Sequence, residues 1–285
     1  MEKSYLSFFL FVLLFSCQII EPGVDLPTYL YIDEVEVETT SEQGTASHNI
    51  RDVWVFSNDN IRAVYELPAR IPIVGDGVEE IKIFAGILNN GLGSPRIQYP
   101  FYDHYVFEHD MVPMKVDTIV PVFTYHDNLR YWIEDFEDPG MDLEAVGETG
   151  TFSRIANSEL VYEGNGCGYL RLGEGEDFIE IQGNEVFSNF TLQTRLFLEL
   201  NYKTNNEFNV GFYIGDDKNA FWTLKNTIDV SGDPQWRKTY IDLTTVLRIS
   251  PTPVTYTFFI DVFKEDGVAV SETWIDNVKL VYTPN

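Results

Sequence analysis

Alternation of apolar and polar residues with a period of two runs through most of the chain after position 29. No stretch of ten or more residues shows the 3.6-residue period of an amphipathic helix. A strand sends successive side chains to opposite faces, so this pattern restricts the chain to half-buried β-sheets packed face to face. The spacing predicts strands over 29–37, 50–56, 61–67, 81–88, 99–107 and 115–123, then over 168–172, 178–182, 192–202, 208–214, 220–225, 236–243, 255–263 and 274–282. Proline and glycine clusters punctuate them. With 285 residues, one or two domains are expected, each long enough to bury a core. Six or seven short strands over about 100 residues suit an immunoglobulin-like sandwich, and eight over about 150 suit a jelly roll. The expected class is therefore all-β: an immunoglobulin-like sandwich at 29–132 followed by a jelly roll at 133–285. The polar run His126-Asp127-Asn128-Leu129-Arg130 marks the boundary.

Ahead of the first strand, Lys3 precedes an apolar run at 5–15 that ends at Ser16 and Cys17. About eleven residues cannot span a bilayer, which takes about 20, but they suit the apolar centre of a signal peptide. Leu14-Phe15-Ser16-Cys17 resembles the lipobox of bacterial lipoproteins, in which the cysteine becomes the lipidated first residue. The resemblance implies a signal peptide at 1–17, lipidation of Cys17, and membrane attachment through that lipid alone. An ordinary secretory signal that happens to contain cysteine is the other reading. Residues 18–28 hold two prolines without periodicity and read as a tether. With Cys17 lipidated, Cys167 has no disulfide partner, and in Gly166-Cys167-Gly168 it reads as a small buried residue rather than a nucleophile.

The formal charge of −26, from 19 basic and 45 acidic residues, repels phosphate backbones and counts against nucleic-acid partners. HExxH, GxSxG and a glycine-rich phosphate loop do not occur, and no carboxylate pair stands out as a catalytic dyad in so acidic a chain. A non-enzymatic protein is expected.

The first segment, with Asp52-Val53-Trp54-Val55-Phe56 and Tyr99-Pro100-Phe101-Tyr102, resembles the N-terminal domain of lipoproteins of Bacteroidota. The second resembles galactose-binding-like jelly rolls, the fold of many carbohydrate-binding modules. It carries an opening Phe136-Glu137-Asp138, a middle strand Trp236-Arg237-Lys238-Thr239-Tyr240-Ile241-Asp242-Leu243 and a closing Trp274-Ile275-Asp276-Asn277-Val278-Lys279-Leu280. These likenesses imply a lipid-anchored protein of the bacterial outer membrane. They also imply a structural calcium ion held by Glu137 and Asp276, the alternative being that both carboxylates accept turn N–H groups.

A sugar site needs an aromatic plate and planar polar side chains on one face. Alternation in 192–202 sets Arg195, Glu199 and Asn201 opposite the leucines, and in 208–214 it sets Tyr213 opposite Phe212. With Tyr169 and Arg171 on a neighbouring strand, these six residues compose the candidate ligand surface, for which an extended neutral or cationic glycan is expected rather than a polyanionic one. A solvated sheet face, or a face packing on the first domain, is the alternative. Trp222, Trp236 and Trp274 read as core. Two functions follow: a glycan-binding protein, favoured if that face is open, or a structural or accessory subunit docking onto an outer-membrane protein complex, favoured if the first domain covers it.

Overall fold

A computed structural model describes residues 26–91, 95–147, 149–188, 190–248 and 254–284. Cys17 and the signal-peptide reading lie outside these residues, as does most of the tether. The chain is all-β. Its first part contains β1 (Thr28–Ile32), β2 (Glu36–Glu38), β3 (Asp52–Ser57), β4 (Asn60–Glu66), β5 (Ala69–Ile73), β6 (Val78–Leu88), β7 (Arg96–Gln98), β8 (Tyr105–Asp110), β9 (Val116–Thr118) and β10 (Val122–Thr124). They form sheets ordered β5-β1-β9, β10-β2 and β4-β3-β6-β7, with β8 also on β6. The expected strand at 29–37 is broken at Asp33-Glu34 into β1 and β2. The expected strand at 99–107 is replaced by β7, a turn and β8. The strand β5 was not expected, because Pro72 demotes its segment. The structure accommodates this proline at a sheet edge, where a missing N–H costs no ladder bond.

The second part contains β11 (Arg130–Glu134), β12 (Leu143–Val146), β13 (Thr151–Ile155), β14 (Cys167–Leu172), β15 (Phe178–Phe187), β16 (Leu196–Thr204), β17 (Phe208–Ile214), β18 (Asp217–Leu224), β19 (Arg237–Asp242), β20 (Tyr256–Phe263) and β21 (Ser271–Tyr282). A six-stranded sheet, β13-β14-β21-β16-β19 with β11 also on β21, faces a five-stranded sheet, β12-β15-β20-β17-β18. Their inner faces interleave Leu170, Leu198, Leu200, Ile241, Ile275 and Leu280 with Ile181, Val210, Phe212, Phe258 and Ile260 in one core. The chain enters this sandwich through a turn at Phe136, whose φ of 57° is left-handed and costly for an aromatic residue. The Glu134 carboxylate holds the turn by accepting the N–H groups of Phe136, at 2.7 Å, and Asp142.

The two parts share a core. Phe197, Tyr240 and Val281, which point outward from β16, β19 and β21, belong to the same hydrophobic cluster as Leu30, Val53, Ile83, Phe101 and Phe123. Main-chain contact continues across the junction. Asn89 pairs with Tyr240 as an isolated parallel bridge, and the Asn90 N–H donates to the Tyr240 carbonyl at 2.9 Å. The end of β6 thereby covers the exposed edge of β19, where a bare strand would invite pairing with another chain.

Candidate functional site

The six residues expected on one ligand face are distributed over four surroundings. Glu199 and Asn201 sit on the outward face of β16, as the alternation required, but both are 0% exposed because the first part of the chain lies on top of them. Glu199 Oε1 accepts the hydroxyls of Tyr99 and Tyr125, each at 2.6 Å, and its Oε2 faces Lys238 Nζ at 3.2 Å and Lys279 Nζ at 3.6 Å. Burial alone would raise the Glu199 pKa, yet the two ammonium groups and the phenol donors outweigh it and hold the carboxyl down to about 2. Burial pushes Lys279 down to about 8 against the pull of Glu199, and its ammonium also donates to the Gln43 carbonyl and the Tyr125 hydroxyl, each at 2.8 Å. Asn201 accepts from Ser47 Oγ at 3.0 Å. These two residues build the junction and are closed off from solvent.

Tyr213 is on β17, in the opposite sheet, so it cannot share a face with Arg195 or Asn201. Its hydroxyl donates to Glu180 at 2.9 Å, Lys218 bridges Glu180 and Asp261, and Asn209 donates to Asp261 at 2.7 Å. Arg195 is exposed and lies beside Phe197 and Asp242 in a cleft of 250 Å³. Tyr169 and Arg171 alone remain on the uncovered part of the six-stranded sheet. Cross-strand register sets Tyr169 beside Trp274, and Arg171 beside Glu272. The Tyr169 hydroxyl donates to Glu272 at 2.5 Å, its ring lies 5.2 Å from that of Trp274, and Lys203 Nζ stands 4.9 Å from the Trp274 ring.

That uncovered strip borders a groove which the sequence reading missed. One arm, of 680 Å³, runs past Lys203, Asn205, Glu272 and Trp274; the other, of 630 Å³, runs between the two parts past Asn49, Arg51, Tyr202 and Arg237; and Trp236 lines both. Trp236 is partly exposed and its ring is 5.5 Å from that of Tyr162, which is 37% exposed. Trp236 precedes β19 rather than lying inside it, so its ring escapes the strand's core-facing alternation. The signal available in the sequence was Pro234, which ends the preceding turn two residues earlier. Trp274 is buried, 6% exposed, but lies outside the cluster between the two sheets. It shares outward phase with Asp276, and a residue of positive φ at Asn277 then shifts the alternation, so that Val278 and Leu280 point inward.

Glu137 and Asp276 border the same turn at 163–165. Glu137 accepts the Asn165 backbone N–H at 2.9 and 3.0 Å and its side-chain amide at 2.7 Å. Asp276 accepts the N–H groups of Asn277 at 2.8 Å and Glu163 at 3.4 Å, and Asn277 donates to Glu163 at 2.9 Å. Burial pushes the Asp276 carboxyl up to about 8, with the charges of Glu163 and Glu137 adding to it. A carboxyl raised by burial beside other carboxylates suits a hard cation. Among the described residues, however, no group of three or more His, Cys, Asp or Glu side chains is placed to hold a metal, and Glu137 spends its oxygens on the turn. The thiol of Cys167 is buried and pushed up to about 12, chiefly by that burial, which leaves it without nucleophilic character at neutral pH.

No family model matches the sequence, and neither does any curated protein. Solved structures with a similar chain path include carbohydrate-binding modules and the enzymatically active domain of tailspike protein 4 of bacteriophage CBA120, the latter 11% identical over 53% of this chain and 20% of its own, TM-score 0.34. A study of promiscuous specificity in modules of the β-sandwich superfamily describes one that is 13% identical, covering 90% of this chain and 98% of its own, with a TM-score of 0.39. A family 29 module mutant is 12% identical over 54% of this chain and 92% of its own, TM-score 0.33. TmCBM61, solved in complex with β-1,4-galactotriose, is 11% identical over 50% and 88%, TM-score 0.33. At such identities and TM-scores, the fold and the site stand on the topology and geometry above.

Proposed function

We propose that this chain is a non-catalytic carbohydrate-binding protein of the bacterial envelope, anchored through lipid at Cys17, that holds a glycan along the groove meeting at Trp236. The observation that carries the reading is the partly exposed Trp236–Tyr162 pair at the meeting of two polar clefts. Sugar C–H groups stack on such rings, while amides, guanidinium groups and carboxylates beside them match hydroxyls. The groove is open at both arms, as an extended chain requires. Affinity electrophoresis of the full chain through a panel of soluble polysaccharides should show retardation by at least one, reduced about tenfold or more in Trp236→Ala. Equal retardation of the variant defeats this site.

The rival, a structural or accessory subunit of an outer-membrane protein complex, draws on one observation: two of the six expected ligand residues, Glu199 and Asn201, are consumed in packing the two parts together. Retention by no glycan, together with co-purification of a membrane protein, favours it. For the anchor, Cys17→Ala should move the protein from the membrane fraction into the soluble one, and unchanged sedimentation defeats lipidation. A calcium ion beside Glu137 and Asp276 belongs to the same proposal and is tested below.

A further inference from the structure

The two arms of the groove differ in charge. Glu159, Asp233 and Glu272 line the outer arm, with Lys203 the cation among them. The arm between the two parts has Arg51, His48, Arg237 and Lys238 in its walls and, among the described residues, no carboxylate, in a chain where acids outnumber bases 45 to 19. Not all of these cations are free. Lys238 is committed to Glu199 beneath the floor, and burial, with Lys238 adding, keeps His48 below its ordinary value. Arg51 and Arg237 are exposed, and neither guanidinium has an ion-pair or hydrogen-bond partner among the described residues. Arg62 and Arg96, by contrast, reach Glu79, and Asp52 with Glu66. A second observation lies in the same arm: Thr239 Oγ1 is buried there with no hydrogen-bond partner, a polar atom whose desolvation nothing in the protein offsets.

A cleft walled by one sign of charge concentrates counter-ions. The fork of a guanidinium group matches a carboxylate or sulfate with two parallel hydrogen bonds, which an ammonium cannot do. Arg51 comes from the first part and Arg237 from the edge of β19, so the pair exists only because the two parts are docked. Trp236, on the same wall, presents a ring surface next to them. We infer that the arm between the two parts takes an anionic substituent of the bound glycan, a carboxylate or a sulfate ester, through Arg51 and Arg237, while the outer arm takes uncharged sugar. This rests on the carbohydrate reading above and replaces the expectation of a neutral or cationic ligand drawn from overall charge, because the local charge of the cleft is opposite to that of the chain.

The test uses the full chain and three oligosaccharides of equal length: a hexagalacturonate, its fully methyl-esterified counterpart, and a sulfated galactan hexamer. At low ionic strength at least one charged oligomer should bind about tenfold tighter than the methyl ester. That preference should vanish in Arg51→Gln/Arg237→Gln, survive in Arg51→Lys/Arg237→Lys only in part, and fall with added salt. Carboxylate and sulfate are told apart by which charged oligomer carries the preference. If the methyl ester binds as tightly as both charged oligomers and Trp236→Ala abolishes all binding, the anionic arm is wrong and the carbohydrate reading stands. A preference that persists in the double glutamine variant also overturns the inference. Should none of the three bind, this inference falls and the carbohydrate reading rests on the polysaccharide panel; should binding ignore Trp236→Ala, both fall.

Discussion

Glu199 shows how one side chain decides the character of a whole surface. In sequence it is an outward-facing polar residue on a strand, and alternation alone cannot distinguish an open face from one covered by another part of the chain. The structure puts it in a dry junction with two lysines and two tyrosines. Its folded pKa lies below the unfolded value, so its contribution is fully present above about pH 4.5 and is lost as pH falls toward about 2. Glu199→Gln should flatten the acid limb of stability between those values and lower stability at pH 7 by ~3–5 kcal/mol, because two buried ammonium groups lose their counter-charge. Urea unfolding at stepped pH measures both effects, and a variant as stable as the parent at pH 7 refutes the account. The carboxylates at the 163–165 turn give a second residue-level prediction. If calcium sits beside Glu137 and Asp276, EDTA lowers the unfolding temperature and added calcium restores it, since an ion binding only the native state stabilises it by mass action. An unmoved transition and no calcium by elemental analysis dispose of the ion.

At the scale of elements, the strongly alternating segments were legible: the segments that became β3, β6, β16, β17, β20 and β21 all carry period-two runs with apolar residues buried in phase, and β4 forms where expected although none of its residues is buried. What stayed hidden was short or edge-bound. The strands β12 and β13 are four and five residues long and mostly unburied, so their sequences carry little apolar signal, and Pro72 concealed β5. The groove was hidden for a different reason. It is made where Trp236 stands ahead of a strand and where distant segments converge, and no local period encodes that convergence. The contact of the end of β6 with β19 runs through Asn89 and Asn90, two residues outside both strands, of which Asn90 bonds through its side chain. Asn90 takes a φ of 58° and its Oδ1 accepts the Asp242 N–H at 2.9 Å. Asn90→Ala both strains that φ and orphans the donor, and should cost ~2–4 kcal/mol. Asn90→Gly relieves the φ, orphans only the donor, and should cost about half as much. Equal losses in the two variants, read from urea midpoints at unchanged slope, mean that backbone strain plays no part.

For the whole molecule, the continuous cluster that joins Val53 and Phe101 to Phe197, Tyr240 and Val281 predicts a single cooperative transition. Calorimetric and van 't Hoff enthalpies should agree within error, and two resolved peaks contradict the shared core. All-β architecture with non-local strand pairing also implies slow folding, because loop-closure entropy is met before the long-range contacts form.

The bridge between Asn89 and Tyr240, small as it is, bears on how such a chain can change over generations. Modular proteins are reshuffled by cutting between folded pieces and joining each to new neighbours. A cut near residue 129 here strips Phe197, Tyr240 and Val281 of their cover, leaves the β19 edge bare, and exposes an assembly of carboxylate and ammonium groups built for a dry setting. The cleft that holds both Arg51 and Arg237 also disappears. The two parts are therefore expected to be inherited together, and sequences related to one half should carry the other beside it.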